Sequence, residues 1–270
     1  MKFSVLASGS SGNSIYIESN RIRILIDAGI SGKQMEQRLK QIGVDLSTLS
    51  AIFVTHEHID HVKGLGVLAR RYQIPVYMNE ATWSQLPSSV GEIPISLQNI
   101  VASSSMIDLE DIHIESIPIS HDAVEPVGYH IYTEDESIAV VTDLGYVNQH
   151  IIKKVSGADT LIWESNHDVE MLRVGSYPWN IKRRILGDMG HLSNEDSGTA
   201  LVDILHGKGE QVYLAHLSKD NNLAELAHLT VKDILEDAGL DVGKEVYLKE
   251  TYADRPTPLQ AVKRNALIKA

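Results

Sequence analysis

The sequence predicts a mixed α/β (α+β) chain, on three observations. Short apolar, β-branched runs such as Ile52-Phe53-Val54 recur along it and read as buried strands. Between them lie stretches of helical spacing; Gly32 to Ile42, with Met35, Leu39 and Ile42 on one face, is an example. The strand-like runs end in residues that bear chemistry, above all His56-Glu57-His58-Ile59-Asp60-His61. Strands that alternate with helices indicate an α/β chain rather than an all-β one.

A chain of 270 residues suits one large domain or two small ones, and 43% hydrophobic residues allow a substantial core. No apolar stretch has the length of a bilayer span. Met1-Lys2-Phe3-Ser4-Val5 leads straight into a strand pattern with no signal-peptide-like hydrophobic region, so a cytoplasmic protein is expected. Zero cysteines exclude disulfides and thiolate metal sites, leaving His and Asp as ligands. The formal net charge of -12 argues against a broad nucleic-acid footprint but leaves room for a local one. Two bound divalent cations add about +4 where it matters and themselves attract phosphate.

In chain order, residues 3 to 7 and 14 to 18 read as short strands flanking the turn Ser8-Gly9-Ser10-Ser11-Gly12-Asn13. That turn either brings backbone N–H groups and hydroxyls, Ser10 and Asn13 among them, to an anion or is a plain hairpin loop. Arg23 to Gly29 is a strand ending in a turn. Asp27 reads equally as a partner for a ligating histidine and as a cap on the next helix. That helix, Gly32 to Ile42, is expected to carry Lys33, Arg38 and Lys40 on a charged exterior.

The stretch Ile52 to His61 follows. Neutral imidazoles and a carboxylate suit a borderline divalent cation, and four of them fall within six residues at one strand end. His56 and His58 are two apart, so an extended segment turns both the same way. Asp60 and His61 follow where the chain turns, which suits a second ion. The competing reading, unrelated polar residues on a surface loop, fits poorly in a chain with only 12 histidines.

His56-Glu57-His58-Ile59-Asp60-His61 resembles the signature of the metallo-β-lactamase superfamily of hydrolases. Leu6 to Asn13 and the late Ala215-His216-Leu217-Ser218-Lys219-Asp220-Asn221-Asn222 are similar to its YycJ/WalJ-type bacterial members. The resemblance covers nearly the whole chain. It implies a four-layer αββα sandwich as a single domain, with metals at strand ends along one edge.

A helix through Leu65, Leu68, Ala69 and Tyr72 comes next, then a strand at Ile74 to Met78; residues 80 to 110 carry little signal. A strand at 112 to 119 ends at Ser120-His121-Asp122, where the resemblance makes His121 a ligand. The strand pair 128–132 and 137–142 is joined by the acidic turn Glu134-Asp135-Glu136 and runs into Asp143. A carboxylate there either bridges two cations or sits in a turn before Gly145; the resemblance favours the bridge. Thr160 to Glu164 is a further strand. Glu164 and His191 resemble the pair of the phosphodiesterase branch, in which the glutamate orients a histidine that donates a proton or steadies the scissile phosphate. His167 competes with His191 for that role.

Between them, Arg173, Tyr177, Trp179, Lys182, Arg183 and Arg184 concentrate cations and aromatics unusually for so acidic a chain. Arg and Lys hold phosphates, and aromatics stack on bases at roughly 1–3 kcal/mol each. The alternative is a helix with a solvated basic face and buried aromatics. A helix at 194–205, the strand Gln211 to His216, a helix at 226–240 and a strand at 245–248 complete the pattern. His216 is a ligand by the resemblance, Lys219 lies in the loop after it, and a loose tail is expected from Arg255 to Ala270.

The resemblance thus implies His56, His58 and His121 on one cation, Asp60, His61 and His216 on another, Asp143 bridging, and Asp60 also orienting a hydroxide. Manganese is the first expectation for the metal and zinc the second. The same cage serves thioesters, lactones and phosphodiesters. The Glu164/His191 pair, the basic-aromatic stretch and the subgroup likeness favour phosphodiesters, and DNA degraded from a 5′ end above all. A glyoxalase II-like or cyclic-phosphodiesterase hydrolase is the rival enzyme, and a metal-bound regulatory partner the rival outside enzymology.

Overall fold

A computed structural model describes residues 1–262. They divide into two compact units: residues 1–118, 123–127 and 251–261, and residues 119–122 and 128–250 with Val262. Among them, no helix is long and apolar enough to cross a membrane.

In the first unit β1 (Lys2–Ala7), β2 (Ser14–Glu18) and β3 (Arg23–Ile26) form an antiparallel meander. The helix α1 (Gly32–Gln41) leads to β4 (Ala51–Phe53), which lies parallel to β3. The short α2 (Ile59–Val62) and α3 (Leu65–Tyr72) lead on to the parallel β5 (Val76–Met78). After α4 (Glu80–Ser84) comes the parallel edge strand β6 (Gln98–Ile100), and β7 (Met106–Leu109) and β8 (Ile112–Pro118) form a hairpin. Strands β3, β4 and β5 are apolar because helices cover the parallel part of the sheet. Leu25, Ile52 and Val76 meet Leu39, Leu65 and Leu68 in one core cluster. Ser31 caps α1: its hydroxyl accepts from the Gln34 N–H while the Gln34 side chain accepts from the Ser31 N–H.

Two expectations need correction. Arg38 does not face solvent: it is buried, with Nη1 donating to the Leu6 carbonyl at 2.8 Å and Nη2 to that of Ala253 at 2.9 Å. A guanidinium can be buried where carbonyls satisfy its donors. The described part of the expected loose tail is also fastened. Thr257 exchanges backbone and side-chain bonds with Ser4 and Val5, and Gln260–Ala261 pairs antiparallel with β1. The rest of that tail, residues 263–270, lies outside the described residues.

The second unit has β9 (Val127–Tyr132) antiparallel to β10 (Ser137–Val141), and then β11 (Thr160–Glu164), β12 (Glu210–Ala215) and β13 (Val246–Glu250) added in parallel. The helix α5 (Gln149–Val155) joins β10 to β11. Between β11 and β12 the chain forms α6 (Val169–Val174), α7 (Trp179–Ile185) and α8 (Asn194–Ile204), and α9 (Ala224–Asp237) precedes β13. In each unit the parallel strands bring their carboxyl ends to one edge, where side chains of neighbouring strands converge.

Candidate metal centre

In the first unit, β3 and β4 end side by side. Asp27, just past β3, adopts the left-handed φ of 62°, a conformation that costs an aspartate energy and persists where its surroundings fix it. Its Oδ1 accepts from the Thr55 N–H at 2.8 Å and its Oδ2 from the Thr55 hydroxyl at 2.9 Å. Oδ2 also lies 2.8 Å from His61 Nδ1. Of the two sequence readings of Asp27, the partner of a histidine is the one realised; Ser31 is the helix cap.

A carboxylate only accepts, so His61 carries its proton on Nδ1 and turns the lone pair of Nε2 outward. The same logic fixes His56. Thr55 gives its one hydroxyl proton to Asp27, so at 3.0 Å from His56 Nδ1 it accepts, and the His56 proton also sits on Nδ1. The His56 ring centroid is 4.7 Å from that of His58 and 4.1 Å from that of His61. His58 is the N-cap residue of α2, which is why Asp60 and His61 stand on a helical turn. Asp60 Oδ2 lies 3.7 Å from His61 Nε2.

Asn13 completes this cluster from the glycine-serine loop. Its Oδ1 accepts from the Gly9 N–H at 2.8 Å, and its Nδ2 lies 3.4 Å from Asp60 Oδ2 and 3.1 Å from His61 Nε2. The Asn13 N–H donates to the Asp60 carbonyl, and the Gly29 N–H to that of Asn13. Gly29 is required here, since a Cβ at that position falls 1.7 Å from the Asp60 carbonyl oxygen. Ser10, in the same loop, is exposed.

In the second unit the organising group is Glu164, fully buried at the end of β11. Its Oε1 accepts from His191 Nδ1 at 2.9 Å and His216 Nδ1 at 2.8 Å; its Oε2 accepts from the Leu144 and Leu192 N–H groups. Burial alone pushes its carboxyl pKa up, but the charge and hydrogen bonds of His191, with those of His216, outweigh it and hold the group well below the usual carboxylate range. Asp143, past β10, and His216, past β12, both take left-handed φ angles, 60° and 57°. Asp143 Oδ1 lies 3.4 Å from His216 Nδ1 and 3.9 Å from His121 Nε2. His121 Nδ1 is 3.2 Å from the Gly190 carbonyl. Burial pushes the His121 pKa down, keeping the ring neutral, as a ligand must be.

Four imidazoles, His56, His61, His121 and His216, therefore have Nδ1 committed to a hydroxyl, carboxylate or carbonyl and present Nε2. Protein acceptors behind Nδ1 are what orient histidines toward a cation. His56 and His61 with Asp60 in the first unit, and His121 and His216 with Asp143 in the second, are in each case donor types that suit a divalent metal ion. The sequence missed that Glu164 holds His216 as well as His191, and that Thr55 links Asp27 to two histidines. A threonine directly before the His-x-His run was the only available signal.

His167 is apart from this. It is 1% exposed, neither ring nitrogen has a hydrogen-bond partner among the described residues, and burial pushes its pKa down to about 4. Glu164 bonds His191 instead. The basic-aromatic stretch also divides. Lys182 is buried, its ammonium donating to the carbonyls of Arg173 and Gly175, so a surface role for it is corrected to a structural one. Arg173 pairs with Glu170, the Tyr177 hydroxyl donates to Asp220, and Arg184 donates to Asp122. Trp179, Arg183 and Lys219 are exposed.

Residues 22–217 match the family model described as Beta-lactamase superfamily domain. Exodeoxyribonuclease YycJ of Bacillus anthracis is 46% identical, over 97% of this chain and 99% of that protein. Exodeoxyribonuclease WalJ of Streptococcus pneumoniae is 45% identical, over 97% and 98%. The crystal structure of the metallo-β-lactamase fold protein YhfI from Bacillus subtilis aligns with a TM-score of 0.70 at 15% identity, over 95% of this chain and 98% of that one, a likeness of fold alone.

Proposed function

This chain belongs to the β-lactamase superfamily, and from that premise we propose that it is a metal-dependent DNA exonuclease working from the 5′ end. The observation that carries the substrate is the chain-long likeness to two proteins named exodeoxyribonucleases. The hydrolytic chemistry is supported by the Nε2-presenting histidines and by the Glu164–His191 bond.

His56, His58, Asp60, His61, His121, Asp143 and His216 hold two divalent cations, manganese or zinc. Bound cations of this kind lower the pKa of water toward neutrality and take up charge on phosphoryl oxygens. Asp60 accepts a hydrogen bond from the attacking water and so orients it. Glu164, ionised and buried, accepts from His191 Nδ1 and so orients that ring. That ring passes a proton from Nε2 to the oxygen that leaves as the P–O bond breaks. Asp27 and Thr55 fix the tautomers of His61 and His56. The protein works in the cytoplasm, on cellular DNA.

The test uses metal-free protein reloaded with Mn²⁺ or Zn²⁺ and DNA labelled at the 5′ or the 3′ end, with an Asp60→Ala, His61→Ala variant as the control for contaminants. Metal-dependent loss of the 5′ label first, absent in the variant, is expected. Intact DNA together with turnover of a small phosphodiester or thioester overturns the reading.

A further inference from the structure

The three consecutive cations of α7 point three ways. Lys182 points inward and fastens the helix to the carbonyls of Arg173 and Gly175. Arg184 donates to Asp122, whose Oδ1 lies 3.3 Å from His121 Nε2. Arg183 faces solvent and, among the described residues, makes no hydrogen bond or ion pair. Trp179 stands four residues before it, on the same helix face, 62% exposed and without a partner among the described residues.

This face is rigidly tied to the histidines. The His191 N–H donates to the Ile185 carbonyl at 3.0 Å, and the Gly190 carbonyl receives His121 Nδ1. The Ser120 hydroxyl donates to the carbonyl of Asp188. A Cβ on Gly190 meets the Ile185 carbonyl oxygen at 2.1 Å, so the turn after α7 is packed against the helix end. At 1.5 Å rise per residue, Trp179 lies about 7–8 Å along the helix from Arg184. A strand cut beside His121 and His191 passes that distance within its next nucleotides.

We propose that the Trp179–Arg183 face of α7 is a stacking platform for an unpaired nucleotide of the substrate strand, the base lying on the Trp179 indole and a phosphate meeting the Arg183 guanidinium. The proposal rests on the nuclease reading above and narrows it. In a chain of net charge -12, an arginine left without a partner beside an exposed indole complements a polyanion that carries flat bases. Every base has a π-face, so the platform reads no sequence. In a duplex those faces are covered by neighbouring bases, so the nucleotide it takes is unpaired, coming from a single strand or from a frayed duplex end.

Metal-free protein, titrated with a short oligo(dT) and followed by tryptophan fluorescence, tests this without turnover. Of the three tryptophans, Trp163 is fully buried and Trp83 half-buried, so loss of the quench in Trp179→Ala assigns the signal to Trp179. Quenching is expected in the wild type, and Trp179→Ala raises the Kd about 5- to 100-fold by fluorescence anisotropy of labelled oligo(dT). Trp179→Phe, which keeps a π-face, recovers most of that loss. Arg183→Ala lowers the slope of log K against log salt by about one. A hairpin with A·T closing pairs that binds better than one with G·C pairs identifies the frayed end as the source; tight binding of oligo(dT) alone identifies the single strand. An unchanged thermal midpoint checks the fold of each variant. If Trp179→Ala binds like the wild type, or Trp179→Phe is as weak as Trp179→Ala, the platform is wrong while the nuclease reading stands. If wild-type protein hydrolyses a small phosphodiester but neither binds nor degrades DNA, both fall.

Discussion

Replacing Glu164 by Gln removes one oxygen from a site where both oxygens are in use. Oε1 takes the Nδ1–H groups of His191 and His216, and Oε2 takes the N–H groups of Leu144 and Leu192, all fully or partly buried. An amide has one accepting end. Whichever way it lies, two of those donors face its NH₂. Each buried donor left without an acceptor costs about 1–3 kcal/mol, so the variant loses about 4 kcal/mol of stability. That is a large share of the 5–15 kcal/mol typical of a folded domain. If the amide nitrogen faces the rings, His216 must move its proton to Nε2 and forfeit the lone pair a cation takes; loss of such an orienting partner weakens metal affinity about 10- to 100-fold. Guanidinium unfolding of the metal-free protein measures the first effect and competition with a chelating dye the second. A Glu164→Gln variant within about 1 kcal/mol of wild type and equal to it in metal affinity refutes the reasoning.

Asp27→Asn acts in the same way on the first unit, leaving the Thr55 groups and His61 one acceptor short; a roughly 10-fold or greater loss of metal affinity is expected in the same competition assay. Gly29→Ala brings a methyl group onto the Asp60 carbonyl, so a loss of about 3 kcal/mol in denaturant unfolding is expected, with reduced metal uptake by elemental analysis. His167 supplies a pH dependence. Its pKa falls from 6.5 unfolded to about 4 folded, so the unfolded chain binds the proton more readily in that range. The stability from keeping the ring neutral is complete above about pH 6.5 and is lost as the pH falls toward 4, about 3 kcal/mol in all. His167→Phe removes that part of the slope in urea unfolding at pH 7.5 and 5.

The proposed ligand set was only partly local: His56, His58, Asp60 and His61 share one strand end, whereas His121, Asp143 and His216 entered through the family resemblance. The helices Gly32–Gln41 and Leu65–Tyr72 were clear, each having a continuous apolar stripe. What the sequence hid is pairing over distance. Nothing local distinguishes Arg38, inside the core under two carbonyls, from Lys40 one turn edge away at the surface. Nor does spacing reveal that Glu164 answers to His216, 52 positions on, as well as to His191. Residues 80–110 stayed dark because β6 is an edge strand whose residues alternate between exposed and half-buried, which leaves no apolar period to read. The basic stretch gave its composition but not its directions, and those are set by Lys182 turning inward.

The most direct measurement is anomalous diffraction at the absorption edges of manganese and zinc from crystals of protein saturated with either ion. The expected result is two ions per chain, held through Nε2 by His56, His58, His61, His121 and His216, with Asp60 and Asp143 completing the shell. For zinc, the bonds to nitrogen should be about 2.0–2.1 Å. An ion bound through a histidine Nδ1, a site elsewhere on the chain, or no ordered ion at saturation contradicts the assignment of these side chains as ligands.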